Sequence, residues 1–176
     1  MPLLVIAYPE LNVIDYNRIQ GFRALHDLLY YGIVEPHFTF VFPGRDMDVN
    51  QFIAEIESKA ANTKSIHFIL RTATINKDAF SDYYHIFLVP DEGNGRMIRL
   101  HDKLYSGSLH SQFLLDIDFI PHITVGNSTE ANHCKALADE WNQEEFSFPG
   151  VIKQLSVVRF EHNVVTPLKN IPLVRE

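Results

Sequence analysis

The sequence predicts an α+β fold: a bilobal, pseudo-twofold duplication of two mainly antiparallel sheets flanked by helices, with two motif strands meeting in a central cleft. Three observations carry this prediction. Strand-like runs come in tandem pairs joined by short polar turns, near 65–73 with 83–89 and near 151–160 with 164–173, and such hairpins build antiparallel sheet. The order helix, strand, short loop, helix, strand, turn, strand occurs twice. A five-residue pattern also recurs, as Pro36-His37-Phe38-Thr39-Phe40 and as Pro121-His122-Ile123-Thr124-Val125, 85 residues apart in a chain of 176. Composition alone predicts roughly 0.004 copies of that pattern. No low-complexity linker interrupts the chain, so residues 1–176 read as a single domain of two packed lobes, one motif in each.

The elements follow in order. Residues 3–8 are apolar and partly β-branched and read as a first strand. Asp15 is the expected N-cap of a helix running to about Tyr31, stopped by Gly32, with Ile19, Phe22, Leu25 and Leu29 as its apolar stripe. The first motif strand spans about 37–42 and ends at Pro43-Gly44. Asp48 with Gln51 three residues on reads as a capping box for a helix whose stripe is Phe52, Ile53, Ile56 and Ala60. The first strand pair turns around 76–81. A helix near 92–106 carries Met97, Ile98, Leu100 and Leu104. The second motif strand is expected over about 117–125, broken by Gly126-Asn127. Ser128 or Thr129 then caps a helix with Cys134, Leu137, Ala138 and Trp141 at i, i+3, i+4 and i+7. The last strand pair turns at 161–163.

Composition bounds the function. Hydrophobic content of 46% and charged content of 21% are those of a soluble globular protein, and no apolar run approaches the ~20 residues that span a bilayer. The opening residues lack a basic region ahead of their apolar run, so no signal peptide is read and a cytoplasmic location is expected. One cysteine, Cys134, excludes an internal disulfide and reads as core. A net charge of −7 argues against an extended duplex-binding face, while leaving room for a small anion in a locally positive cleft.

The repeated motif carries the chemistry. Alternate residues of a strand share a face, so each copy points one imidazole and one hydroxyl one way and its apolar residues the other. Two such pairs facing each other make an acid/base site with two hydroxyl donors, suited to an oxyanion such as a phosphodiester. Histidine gives and takes protons near its ordinary pKa of about 6.5. One imidazole can take a proton from an attacking water while the other gives one to the leaving oxygen. The hydroxyls of Thr39 and Thr124 can donate to the non-bridging oxygens. No metal or cofactor is called for. Pro36 and Pro121 bias Glu35 and Ile120 toward extended geometry and set strand register.

These residues resemble a known family. His37-Phe38-Thr39-Phe40 and His122-Ile123-Thr124-Val125 are similar to the paired His-x-Thr-x motifs of the 2H phosphoesterase superfamily, which includes the 2′-5′ RNA ligase-like proteins and the cyclic nucleotide phosphodiesterases. The resemblance extends over nearly the whole chain. It implies a bilobal pseudo-twofold fold with a water-filled cleft, and metal-independent chemistry on 2′,3′-cyclic phosphates, 2′-5′ linkages or related RNA ends. It implies His37 and His122 as the acid/base pair, with His122 the base, and Thr39 and Thr124 as phosphate holders. The implied partner is a small nucleotide or an RNA terminus. A competing reading keeps the same cleft as a nucleotide or RNA-end binding module without turnover.

The remaining polar residues take plainer readings. His67 and His85 sit on strands beside the first motif and have a minor prospect of reaching the cleft. His101, His110, His133 and His162 read as surface or turn residues, and His26 as a helix residue. Asp116 and Asp118 flank the second motif strand and read as solvated carboxylates in preference to metal ligands. Arg71, with Thr72 beside it, and Arg159 read as surface ion-pair residues, with phosphate contact as the alternative. The stretch 91–95 reads as a turn with helix caps.

Overall fold

The structure is a computed structural model that describes residues 2–44 and 47–175. In chain order its elements are β1 (Leu3–Ala7), β2 (Glu10–Leu11), α1 (Val13–His26), β3 (Phe38–Val41), α2 (Val49–Ala60), β4 (Ile66–Lys77), β5 (Tyr84–Glu92), α3 (Asn94–Leu104), a 3-10 turn (Gly107–Gln112), β6 (Ile123–Ser128), α4 (Ala131–Gln143), β7 (Phe148–Ile152), β8 (Gln154–Glu161) and β9 (Val164–Pro172). They form two antiparallel sheets, ordered β3-β1-β8-β9 and β2-β7-β4-β5-β6. Helices α1 and α4 cover the five-stranded sheet, while α2 and α3 pack on each other and against β9 and β3. Phe38 of β3 meets Phe68 of β4 edge-on at 5.0 Å, so the two sheets share one core.

The predicted duplication is present, but its halves are interleaved. The unit β1-α1-β3-α2-β4 is repeated as β5-α3-β6-α4-β8, and each unit sends its last strand to the other's sheet. Strand β4 pairs with β5, beside the second motif strand, and β8 pairs with β1, beside the first. This corrects the expectation that the strands of 65–73 and 83–89 flank the first motif. The predicted strand 151–160 is also two strands: β7 joins β4 and β8 joins β1, with the change of sheet at Lys153.

Both motif strands are sheet edges, and side chains protect the outer side of β3 in place of a neighbouring strand. The Nδ1–H of His101 donates to the Phe40 carbonyl at 2.8 Å, and the Phe42 amide donates to the Tyr105 hydroxyl at 3.0 Å. His101 is therefore a buried strand anchor, not the surface residue expected from sequence.

Other departures have local causes. The first helix is capped by Asn12, whose Oδ1 accepts the Asp15 amide at 2.9 Å, so Asp15 is a first-turn residue and not the cap. It stops at His26, short of Tyr31, because Asp27 turns its carboxylate to the Tyr30 amide and to Arg23. Its predicted apolar stripe is broken: Leu25 is 73% exposed, while Arg23 is 2% exposed. The second motif strand begins at Ile123, and Gly126 and Asn127 continue it instead of ending it. A Cβ at Gly126 would stand 2.9 Å from Ile86 Cδ1 and 3.3 Å from His26 carbonyl oxygen, so glycine admits α1 close to β6. The helix near 92–106 is confined to α3, because β5 runs on to Glu92 and Gly93 turns the chain with φ 83°. Helix α4 starts after Glu130 with no side-chain cap, and Ser128 Oγ instead accepts the Glu130 amide.

Candidate active site

Each motif alternates as the strand period requires. Phe38, Phe40, Ile123 and Val125 are buried, and His37, Thr39, His122 and Thr124 stand half-buried on the opposite faces. Thr39 lies on β3 of the four-stranded sheet and Thr124 on β6 of the five-stranded sheet, with His37 and His122 immediately preceding those strands. Both histidine side chains are partly buried and partly open to solvent.

The two imidazoles are oriented by the same device. His37 Nδ1 lies 2.8 Å from the Glu35 carbonyl, and His122 Nδ1 lies 2.5 Å from the Ile120 carbonyl. A carbonyl only accepts, so Nδ1 carries the proton in both, and the neutral tautomer has its lone pair on Nε2. In each case the accepting residue immediately precedes a proline. Proline restricts its predecessor to extended geometry, which holds that carbonyl beside the following imidazole. Pro36 and Pro121 thus do more than set strand register. Among the described residues neither Nε2 has a protein partner, and neither threonine hydroxyl is engaged.

Burial dominates the electrostatics. It pushes His122 down to about 4, partly opposed by its bond to the Ile120 carbonyl and reinforced by the nearby His37 and His85. Burial also lowers His37, with the Glu35 carbonyl raising it, Arg23 lowering it and Asp27 raising it. Behind His37 lies a buried ion pair. Arg23 Nε donates to Asp27 Oδ2 at 2.9 Å, its other nitrogens reach Gln20 Oε1 at 2.9 Å and the Val34 carbonyl at 2.8 Å, and Asn127 Nδ2 donates to Asp27 Oδ1 at 2.6 Å. This network ties α1 and the loop before the first motif to β6, the strand of the second.

His85 joins the site from β5. It is 7% exposed, stacks on Phe87 at 6.1 Å and 13°, and Phe87 in turn stacks on His122 at 3.5 Å and 15°. Sequence reading placed His85 beside the first motif, whereas the pairing of β5 with β6 puts it beside the second. Its only local signal was its position two residues before an aromatic on a strand.

The other candidates lie elsewhere. His67 is exposed and lines a surface depression of about 460 Å³ with Glu92, Arg96 and Arg99, which holds none of the motif residues. His110, His133 and His162 are exposed, as expected. Arg71 pairs with Asp91 and Glu92 at 2.8 Å, the surface ion pair expected. Arg159 is partly buried on β8, where its Nε has no hydrogen-bond partner among the described residues. Asp116 and Asp118 lie exposed in the irregular segment before β6, outside any strand. Cys134 is buried and donates to the Tyr84 carbonyl at 3.4 Å. Among the described residues no group of three or more His, Cys, Asp or Glu is placed to hold a metal ion, and no helix is long and apolar enough to cross a membrane.

Comparison with known proteins adds to this geometry. Residues 13–163 match the family model described as the 2′-5′ RNA ligase superfamily. Among solved structures, the crystal structure of a phosphoesterase is similar with a TM-score of 0.60 at 19% identity, covering 98% of each chain. E. coli LigT complexed with 3′-AMP is similar with a TM-score of 0.56 at 18% identity, again over 98% of each chain. Usb1 of Kluyveromyces marxianus is similar with a TM-score of 0.55 at 10% identity, over 97% of each chain. Comparison with curated proteins by sequence gives no match.

Proposed function

Because the chain belongs to the 2′-5′ RNA ligase superfamily of 2H phosphoesterases, we propose that it is a metal-independent phosphoesterase that hydrolyses 2′,3′-cyclic phosphate or 2′-5′ phosphodiester ends of RNA or small nucleotides. The observation that carries this reading is the matched orientation of the two imidazoles, each held at Nδ1 by a pre-proline carbonyl with Nε2 turned free. The crystallised complexes of the similar LigT with 3′-AMP, ATP, NADP+ and phosphate support a nucleotide or RNA terminus as the ligand.

In this reading His122 is the base, because burial and its two histidine neighbours, His37 and His85, keep it neutral. Its Nε2 takes a proton from water as the water oxygen bonds to phosphorus. His37, protonated at Nε2, gives its proton to the ribose oxygen as the phosphorus–oxygen bond to that oxygen breaks. The products are a phosphomonoester and a free hydroxyl, and solvent returns each imidazole to its starting state. Thr39 and Thr124 donate to the non-bridging oxygens, where negative charge accumulates. Bound phosphate raises both imidazoles by its opposite charge, which brings the acid form of His37 within reach near neutrality.

The test is hydrolysis of 2′,3′-cyclic nucleotides in EDTA by the wild type, His37→Ala and His122→Ala. Each substitution is expected to lower kcat at least 10²-fold, the lower bound for a lost proton-transfer group. Equal rates in all three proteins, or tight nucleotide binding with no product, would overturn it.

A further inference from the structure

Four rings stand in a column that ends on His122. Tyr30 lies over His85 at 6.3 Å and 25°, His85 over Phe87 at 6.1 Å and 13°, and Phe87 over His122 at 3.5 Å and 15°. The Nδ1 bond to Ile120 and the covalent link to the backbone hold one edge of the His122 ring. A flat partner on the ring's face restrains its tilt. Phe87 is such a partner, and it needs support on its own far side, where His85 stands.

His85 is itself fixed. Its Nε2–H donates to Asp78 Oδ2 at 3.0 Å. Asp78 closes the β4–β5 turn, with its Oδ1 accepting the Phe80 amide at 2.6 Å and its own amide donating to the Tyr83 carbonyl at 2.9 Å. On the next strand Asn127 pairs in register with His85, and its amide nitrogen is held by Asp27. The column therefore runs from the hydrogen-bonded β4–β5 turn, through two residues of one face of β5, to the motif histidine that precedes β6.

We propose that His85, anchored by Asp78, is a positioning residue that holds the His122 ring in its catalytic orientation through Phe87. This rests on the phosphoesterase reading of His122 and extends it to a residue outside both motifs. Parallel aromatic contacts of this kind favour one orientation of a side chain over others. His85 needs no contact with substrate for this role. What it supplies is a flat surface on the face of β5 that its pairing with β6 brings beside the second motif.

The experiment compares wild type with His85→Ala, His85→Phe and Asp78→Ala, by kinetics on a cyclic nucleotide and by NMR of the His122 ring protons. Phe87 shifts those protons by its ring current, and the shift reports the stack without any substrate. His85→Ala is expected to lower kcat roughly tenfold with KM within about twofold, since misorientation affects the reacting geometry more than binding. It should also move the His122 ring resonances toward their unstacked positions. His85→Phe, which keeps a flat ring but loses the Asp78 bond, should recover kcat and resonances from the His85→Ala values to about the level of Asp78→Ala. Asp78→Ala, which leaves the strand sequence intact, should move the resonances in the same direction as His85→Ala but less far. Unmoved resonances in His85→Ala or Asp78→Ala, or a His85→Phe protein as slow as His85→Ala, overturn the proposal. Should the wild type turn over no cyclic nucleotide, the phosphoesterase reading fails, and the resonances by themselves still decide whether His85 positions His122.

Discussion

The Nδ1–H of His101 on α3 donates to the carbonyl oxygen of Phe40 on the first motif strand at 2.8 Å, across 61 residues of chain. The same imidazole lies flat against Phe119, 3.6 Å between centroids, just upstream of the second motif. One buried side chain thus bonds the edge strand that carries His37 and packs on the approach to His122. His101→Phe keeps the ring packing and leaves the Phe40 carbonyl unsatisfied. We expect a loss of about 1–3 kcal/mol in unfolding free energy, measured by urea denaturation. An unchanged midpoint would show that the strand edge does not depend on this bond.

The two threonines should separate from their valine isosteres. Thr39→Val and Thr124→Val preserve shape and strand propensity and remove one donor each. A single oxyanion donor is worth roughly 10²–10³ in kcat, so each variant is expected to lose about that much while Thr→Ser at either position keeps most activity. Valine variants as active as wild type in steady-state assays would remove the hydroxyls from the mechanism.

Activity should favour mildly acidic pH in the free enzyme. The base His122 must be neutral, and it sits at about 4, so the acid limb of kcat/KM lies near that value. The acid His37 must be protonated, and burial holds it below the ordinary 6.5, so the basic limb lies below 6.5. Substrate phosphate raises both groups, and the kcat profile should therefore be displaced to higher pH than the kcat/KM profile. Coincident profiles, or a kcat/KM optimum in the alkaline range, would contradict the assignment.

Stability should respond to pH with the matching sign. His37, His101 and His122 are all depressed by burial, so the unfolded chain binds more protons than the native one below about pH 6.5. Their contribution is complete above the unfolded value of 6.5 and is lost as pH falls toward the folded values. Thermal melting from pH 8 to pH 5 should show a decline that begins near 6.5, and His101→Phe should flatten it.

The buried Arg23–Asp27 pair predicts a larger effect. Its closest contact is 2.8 Å, and both side chains are almost wholly enclosed. Arg23→Met leaves Asp27 as an uncompensated buried charge and is expected to cost about 3–5 kcal/mol in chemical denaturation. A loss under 1 kcal/mol would mean that the pair is replaceable by packing alone.

The legibility of this chain followed the range of the interaction. Alternation of faces within each motif, the cap at Asp48, the stripes of α2 and α4 and the surface pairing of Arg71 depend on neighbours within a few residues or on side-chain exposure, and those were readable. The cap at Asn12 was misread as Asp15 because the two side chains bond each other, and either fits the pattern. Leu25 and Arg23 were misread because hydropathy assigns leucine inward and arginine outward. Here a carboxylate four residues on, itself held by an asparagine 100 residues beyond it, makes the arginine the better core residue.

By itself, the sequence determined that two His–Thr pairs would each present a common face, and that proline would precede each histidine. Both are consequences of strand period and of the φ restriction at proline, and both act locally. Tertiary structure alone decided that the units exchange their last strands, that both motif strands are sheet edges, and that His85 and His101 brace the motifs from elements far away in sequence. Register and partner choice between strands are set by packing among side chains distant along the chain, and no short window of sequence contains both sides of such a contact.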